Sequence, residues 1–301
     1  MPRVALPYRV MKARLLFASL VLLTSSAFGQ IQVDLKLPRL QFIAYEPVVA
    51  TVGITNLAGR DVDLHDAAGQ AWFGFEVTGQ DGQVIGTLKT DSIQPPLKIE
   101  TAKHVTQKIN LTPLFAVHEF GTYHVRAHIY FADLDKYFYS QAKVFEVTNA
   151  RPIWQRTVGI PEGTEAPGNV RSYSLLSNRF PDHTSLYVRV EDKDTGIVYA
   201  TYPLGHIIAF DEPHAELDRA NQLHVLYCAA PRLWAYDRIG LNGERVSHAT
   251  FMETKSRPRL VRADDGVVKI AGGMMETPLS QETRSAAPKL SARPPNPPAH
   301  D

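Results

Sequence analysis

Apolar and polar residues alternate with a period of two along most of the chain. Ile31, Val33, Leu35 and Leu37 form one such run, and Val48, Ala50, Val52 and Ile54 form another. Successive side chains of a strand point to opposite faces, so each run reads as one buried face of a β-strand. Trp72 to Thr78, Lys103 to Leu111, Gly121 to Phe131 and Phe138 to Val147 read as further strands. Turn residues fall between them. Asn56 to Asp61 is a turn, and Gln80-Asp81-Gly82-Gln83 is a hairpin signal before Val84-Ile85. Pro95-Pro96 interrupts regular structure, and Ala132 to Lys136 joins the last two runs as a long hairpin. No segment carries a convincing 3.6-residue period. Residues 30–150 therefore predict a two-sheet β-sandwich.

Residues 151–159 read as a connection, and 160–169 are rich in Pro, Gly and Glu. Short strands then resume: Leu186–Val190, a turn at Asp192 to Gly196, Ile197–Tyr202, Ile207–Phe210, His214–Leu217, Leu223–Tyr227, Leu233–Tyr236, Arg245–Phe251, Arg259–Val261 and Val267–Ile270. The elements Arg219-Ala220-Asn221 and Arg262-Ala263-Asp264 recur 43 residues apart, each after a Pro and a Leu and before a strand. The expected fold is all-β, a sandwich followed by a second antiparallel β domain over 151–276. Residues 277–301, with six prolines among Ser, Ala, Arg and Asn, predict a disordered tail.

The two halves resemble known architectures. Glu119-Phe120-Gly121-Thr122-Tyr123-His124-Val125 has the Gly-x-Tyr spacing of an Ig-like domain at its strand F corner. The stretch Tyr45-Glu46-Pro47-Val48 through Ile54-Thr55-Asn56 to Phe75-Glu76-Val77 and Asp81-Gly82 is similar to bacterial Ig-like modules of the BsuPI and macroglobulin type. The resemblance implies a Tyr123 hydroxyl bonded back to the corner backbone, and it keeps proteinase inhibition open as a function. The 43-residue repeat resembles propeller blades. About two blades fit, fewer than a closed ring takes.

The N-terminus changes the picture of compartment. Arg3, Arg9, Lys12 and Arg14 precede the apolar run Leu15–Leu23, and Ala27-Phe28-Gly29 supplies small residues before Gln30. That is the pattern of a cleaved export signal over residues 1–29, with Met11 as a second candidate start. The apolar run is shorter than the roughly 20 residues a membrane span needs. The expected location is periplasmic or secreted, with no stable membrane insertion after cleavage. Loss of the four basic residues leaves 28 Lys and Arg against 31 Asp and Glu, a net charge of −3. Such a chain offers no basic field for nucleic acid. Cys228 is the sole cysteine, so an internal disulfide is excluded.

Reactive constellations are not expected. His118, His124 and His128 form a tempting cluster, but a strand places His124 and His128 ~13 Å apart, beyond one metal ion. Asp192-Lys-Asp194-Thr195-Gly196 resembles both a calcium loop and the Asp-Thr-Gly triplet of aspartic proteases. It lacks the Gly and Glu positions of the first and the second triplet of the other. There is no Gly-x-Ser-x-Gly and no phosphate loop. No catalytic, metal or cofactor residue is assigned. Trp72, Trp154, Trp234, Tyr202 and Tyr236 have rings suited to sugars, and Trp154, Trp234 and Tyr236 are the candidate ligand-stacking residues. The expected function is a non-enzymatic binding, adaptor or scaffold role with a protein or cell-envelope glycan, presented on loops 56–70, 87–98 and 132–137. A carbohydrate-active or other hydrolytic enzyme is the alternative, alongside the inhibitor.

Overall fold

A computed structural model describes residues 30–88, 94–160, 168–208 and 211–276. Residues 1–29, which read as an export signal, part of the 87–98 loop, Phe210 and the Pro-rich tail lie outside these residues. The described chain is all-β, with one 3-10 turn at Ala132–Leu134. It divides into two compact units between Asn149 and Ala150.

In the first unit, β1 (Ile31–Lys36), β3 (Val49–Asn56) and β7 (His104–Asn110) form an antiparallel sheet in the order β1-β3-β7. A second sheet runs β2 (Gln41–Ile43), β10 (Lys143–Thr148), β8 (Gly121–Phe131) and β5 (Phe73–Gly79), with β9 (Lys136–Tyr139) also paired to β8. β2 joins β10 in parallel, and the other pairs are antiparallel. β4 (Val62–Leu64) and β6 (Leu97–Ile99) make a separate ribbon. The alternating residues of both sheets meet in one core. Val33, Val52 and Ile54 from one sheet and Phe73, Val77, Val125, Ile129 and Phe145 from the other are all buried there. Each fully buried side chain of this size contributes about 1.5–3 kcal/mol.

Local chemistry sets the bends. The Tyr123 hydroxyl donates to the Glu119 carbonyl at 2.9 Å, the corner bond that the Gly-x-Tyr spacing implies. Asn56 is 1 % exposed. Its amide donates to the carbonyls of Arg60, Ile99 and Glu100 and accepts from the Ala58 N–H, so one side chain fastens the turn after β3 to β6. The hairpin over 121–147 is not continuous. Ser140 accepts the Ala127 N–H on its hydroxyl at 3.0 Å and donates its own N–H to the Ala127 carbonyl. This breaks the partner of β8 into β9 and β10. Glu46 is buried against Arg39 and the Ile43 N–H; burial raises its pKa despite the opposing guanidinium.

In the second unit, β11 (Arg151–Gly159), β12 (Val170–Arg179), β13 (Thr184–Asp192) and β14 (Val198–Ile207) form an antiparallel meander. β15 (His214–Leu217), β16 (Leu223–Ala230), β17 (Leu233–Ile239) and β18 (Arg245–Met252) form another, extended by β21 (Met274–Glu276). β19 (Arg259–Arg262) and β20 (Val268–Ala271) form a two-stranded ribbon. Tyr173, Leu175, Val188 and Val190 of the first meander pack with Leu223, Val225 and Tyr227 of the second. The other face of the second meander holds Leu226, Cys228, Trp234 and Phe251, with Leu260 and Ile270 of the ribbon packed on it.

Two expectations are corrected and one strand is added. Residues 151–159 are not a connection but the edge strand β11. Seven of its nine residues are exposed and none is buried, so it shows no buried parity to read. Residues 170–179 form β12, which is buried on both faces and therefore lacks alternation too. The repeat also shifts. Both hairpins end in a left-handed residue, Asn221 and Gly266, with the bonds Asn221 N–H to Asp218 and Gly266 N–H to Ala263. Arg219 thus lies in its turn while Arg262 ends β19. The hairpins correspond, but the Arg-Ala-Asn and Arg-Ala-Asp triplets sit two residues out of register.

Candidate functional site

Parity along β8 places Arg126, His128 and His124 on the outer face, opposite the buried Tyr123, Val125, Ala127 and Ile129. Pairing then fixes their neighbours. His128 lies across from Gly74 on one side and Tyr139 on the other, and Arg126 lies across from Glu76. Tyr137 shares the face of Tyr139, two residues away on β9.

His128, Tyr137 and Tyr139 form the aromatic wall of a groove of about 360 Å³. Tyr137 and Tyr139 have ring centroids 6.1 Å apart, and the His128 ring is 5.5 Å from Tyr137 and 6.0 Å from Tyr139. The facing wall is the hairpin after β5. Gly79 N–H bonds to the Gln83 carbonyl and Ile85 N–H to the Val77 carbonyl, which holds Val84, Gly86 and Thr87 along the groove. Gly82 sits at φ +79° in this turn, a conformation that favours glycine. Val84 is 70 % exposed and Tyr139 47 %, so apolar and aromatic surface faces solvent on both sides.

Gly74 creates the room for the imidazole. A Cβ there would stand 2.4 Å from His128 Nε2, so any larger residue displaces the ring. Burial holds the His128 pKa below its ordinary value, against the pull of Glu76 and with the help of Arg126. The ring is therefore neutral at pH 7 and presents one donor and one acceptor. Arg126 Nη2 meets Glu76 Oε2 at 2.7 Å, and its guanidinium lies 4.5 Å from the centroid of Tyr139. That contact fixes the Tyr139 ring. The Tyr139 hydroxyl has no hydrogen-bond partner among the described residues. Loops 56–70 and 132–137 meet beside the groove. Arg60 pairs with Asp133 at 2.8 Å, and the Tyr137 hydroxyl donates to Gln70 Oε1 at 2.5 Å.

The arrangement can grip a ligand that has both a flat apolar face and hydroxyls. The tyrosine rings offer the apolar contact; His128, the Glu76 carboxylate and the Tyr139 hydroxyl offer polar partners. Sequence reasoning placed His124 and His128 on this face and missed Gly74, Glu76, Arg126, Tyr137 and Tyr139. The signal lay in carrying parity across the hairpin, since Tyr137 and Tyr139 return opposite Tyr130 and His128.

The residues singled out from sequence lie elsewhere. Trp234 is 1 % exposed. Its Nε1 donates to Glu253, and the Arg257 guanidinium stands 4.3 Å over its ring, which places it in the core rather than on a ligand surface. Tyr236 is half-buried, and its hydroxyl contacts His224 Nδ1 at 2.8 Å in a chain that continues through His224 Nε2 to Asp218. Trp154 is half-buried against the second unit's core. Trp72 is buried in the first, and Tyr202 packs on the core with Arg245 over its ring. The three predicted stacking residues are not gathered at one site.

Asp192 caps its hairpin through the Thr195 and Asp194 N–H groups and binds the buried Arg171 at 2.7 Å. The Thr195 N–H, first among these bonds, holds its carboxyl below the usual range. Cys228 is buried, its thiol 3.2 Å from the Ala230 carbonyl, and burial pushes its pKa up. His118 stacks on Tyr45, 4.9 Å between centroids, and His124 is exposed. Among the described residues no group of three or more His, Cys, Asp or Glu side chains is arranged to hold a metal ion. No helix among them is long and apolar enough to cross a membrane.

No protein-family model matches this chain, and no curated protein matches it. Among solved structures, Spo0M, a sporulation control protein from Bacillus subtilis, aligns with 59 % of this chain and 91 % of its own length. The identity is 9 % and the TM-score 0.29, a likeness too slight to carry an argument.

Proposed function

We propose that this chain is an exported, non-enzymatic binding protein of the cell envelope, and that the groove beside Tyr137 and Tyr139 holds a glycan. One observation carries the reading. Two tyrosines and a neutral histidine line a solvent-open groove beside a fixed carboxylate–guanidinium pair. A pyranose has C–H groups on one face and hydroxyls around its rim, and these groups complement the rings and the polar edge. Export is supported by the basic, apolar and small-residue succession over 1–29. The Tyr123 corner bond supports the Ig-like relationship of the first unit, and the successive meanders support a blade-like second unit.

The test is co-sedimentation of the purified chain with insoluble peptidoglycan. An aromatic contact of about 0.5–1.5 kcal/mol makes Tyr139→Ala weaken retention by roughly two- to tenfold. Its side chain is half exposed, so the fold survives the change. Retention that is equal for the two proteins contradicts the assignment of the groove.

A further inference from the structure

A second concave site lies in the other unit, where β19 begins and β20 ends. A cavity of about 490 Å³ is walled by His214, Ser256, Arg257, Arg259 and the Gly272 turn. Gly272 has φ +80°, and a Cβ on it would stand 2.6 Å from the Arg257 carbonyl oxygen and 2.9 Å from Ser256 Oγ. The turn therefore closes tightly on the segment that carries Ser256 and Arg257.

The basic groups here are not alike. Arg257 is fixed and compensated: its guanidinium lies on the buried Trp234 ring and pairs with Asp211. The side chains of Arg259 and His214 and the Ser256 hydroxyl have no hydrogen-bond or ion-pair partner among the described residues. Arg259 and His214 are exposed, so they keep their water in the free protein. One full positive charge is thus left without a counter-ion on the wall of a cavity, beside an imidazole and a hydroxyl. The volume falls within the ~300–1,000 Å³ of small-molecule clefts. An arginine fork beside further N–H and O–H donors matches the spread oxygens of a tetrahedral anion.

We infer that this cavity binds a phosphate-type oxyanion carried on a small organic group. Arg259 supplies the charge, His214 and Ser256 supply hydrogen bonds, and Arg257 stiffens the wall. The organic part occupies the volume that the anion leaves.

The inference is tested by calorimetric titration of the full-length chain with inorganic phosphate and with phenyl phosphate. Saturable binding at one site is expected, tighter for phenyl phosphate. Arg259→Gln weakens both by about tenfold and His214→Ala by a few-fold. Lys269→Gln, on the same ribbon but outside the cavity wall, leaves both unchanged. Circular dichroism checks the Arg259→Gln fold; if that fold is lost, His214→Ala decides alone. No saturable binding overturns the inference, as does an equal loss in Lys269→Gln, which marks diffuse charge attraction. Acetate bound more tightly than phosphate also overturns it.

Discussion

Asp237 is fully buried in β17, yet it is a carboxylate. Its Oδ1 meets His248 Nδ1 at 3.0 Å and Arg245 Nε at 3.1 Å, and its Oδ2 lies 3.2 Å from the Tyr227 hydroxyl. Tyr227 has a single proton, and its shorter bond of 2.8 Å runs to the Leu204 carbonyl. Asp237 Oδ2 therefore accepts only the weaker share of the Tyr227 proton. Burial pushes the Asp237 pKa up, outweighing Arg245 and His248, which agrees with that geometry. Asp237→Asn keeps an oxygen toward Arg245 and His248 and turns an N–H toward the Tyr227 oxygen. Asp237→Ala loses all three bonds. At a net worth of about 1 kcal/mol each, Ala costs up to about 3 kcal/mol, and less because Arg245 and His248 reach water. Asn costs under about 1 kcal/mol. The gap of about 2 kcal/mol is roughly thirtyfold in the opening equilibrium of β16 and β17, read by hydrogen exchange of peptides over 223–239. The sign with pH follows from the raised value. Below the unfolded value of about 3.9 Asp237 makes its full contribution to stability. That stability is lost as pH rises toward the folded value, so Asn gains on wild type as pH increases. An Asn variant as unstable as Ala would mean that the charge toward Arg245 holds the site, and the reasoning would fail.

Four other outcomes are expected. Tyr123→Phe removes the bond to Glu119 and destabilises the first unit by about 0.5–1.5 kcal/mol in urea unfolding. Asn56→Ala strands the buried carbonyl of Ile99 and costs more, about 1–3 kcal/mol, with the largest rise in hydrogen exchange at the 56–61 turn. His128 has a lowered folded pKa, so the unfolded chain takes up its proton first as pH falls below about 6.5. Wild type then loses stability relative to His128→Asn between that pH and the lower folded value, as urea midpoints at several pH values report. The buried Cys228 thiol reacts with a disulfide reagent only as fast as the second unit opens, which added urea accelerates.

Strands with one wet face were legible from sequence because each advertises its buried side. β1 and β3 are examples, with Ile31, Val33 and Leu35 buried and Gln32, Asp34 and Lys36 exposed in the first. β11 and β12 were not legible, being respectively solvated and buried on both faces. β2, β4 and β6 have three residues each, too few to show a period. Single rings misled for another reason. A tryptophan's size says that it will be covered by something, and Arg257 and Glu253 cover Trp234. The groove escaped notice because it needs a cross-strand register, which brings Tyr139 of β9 and Gly74 of β5 to opposite sides of one histidine.

Nuclear magnetic resonance titration of the first unit's outer face with a soluble peptidoglycan oligosaccharide tests the central reading most directly. The account predicts saturable shifts confined to Gly74, Glu76, Val84, Arg126, His128, Tyr137 and Tyr139, abolished together in Tyr137→Ala/Tyr139→Ala. Shifts centred on other residues, or a double variant that binds as wild type does, contradict it.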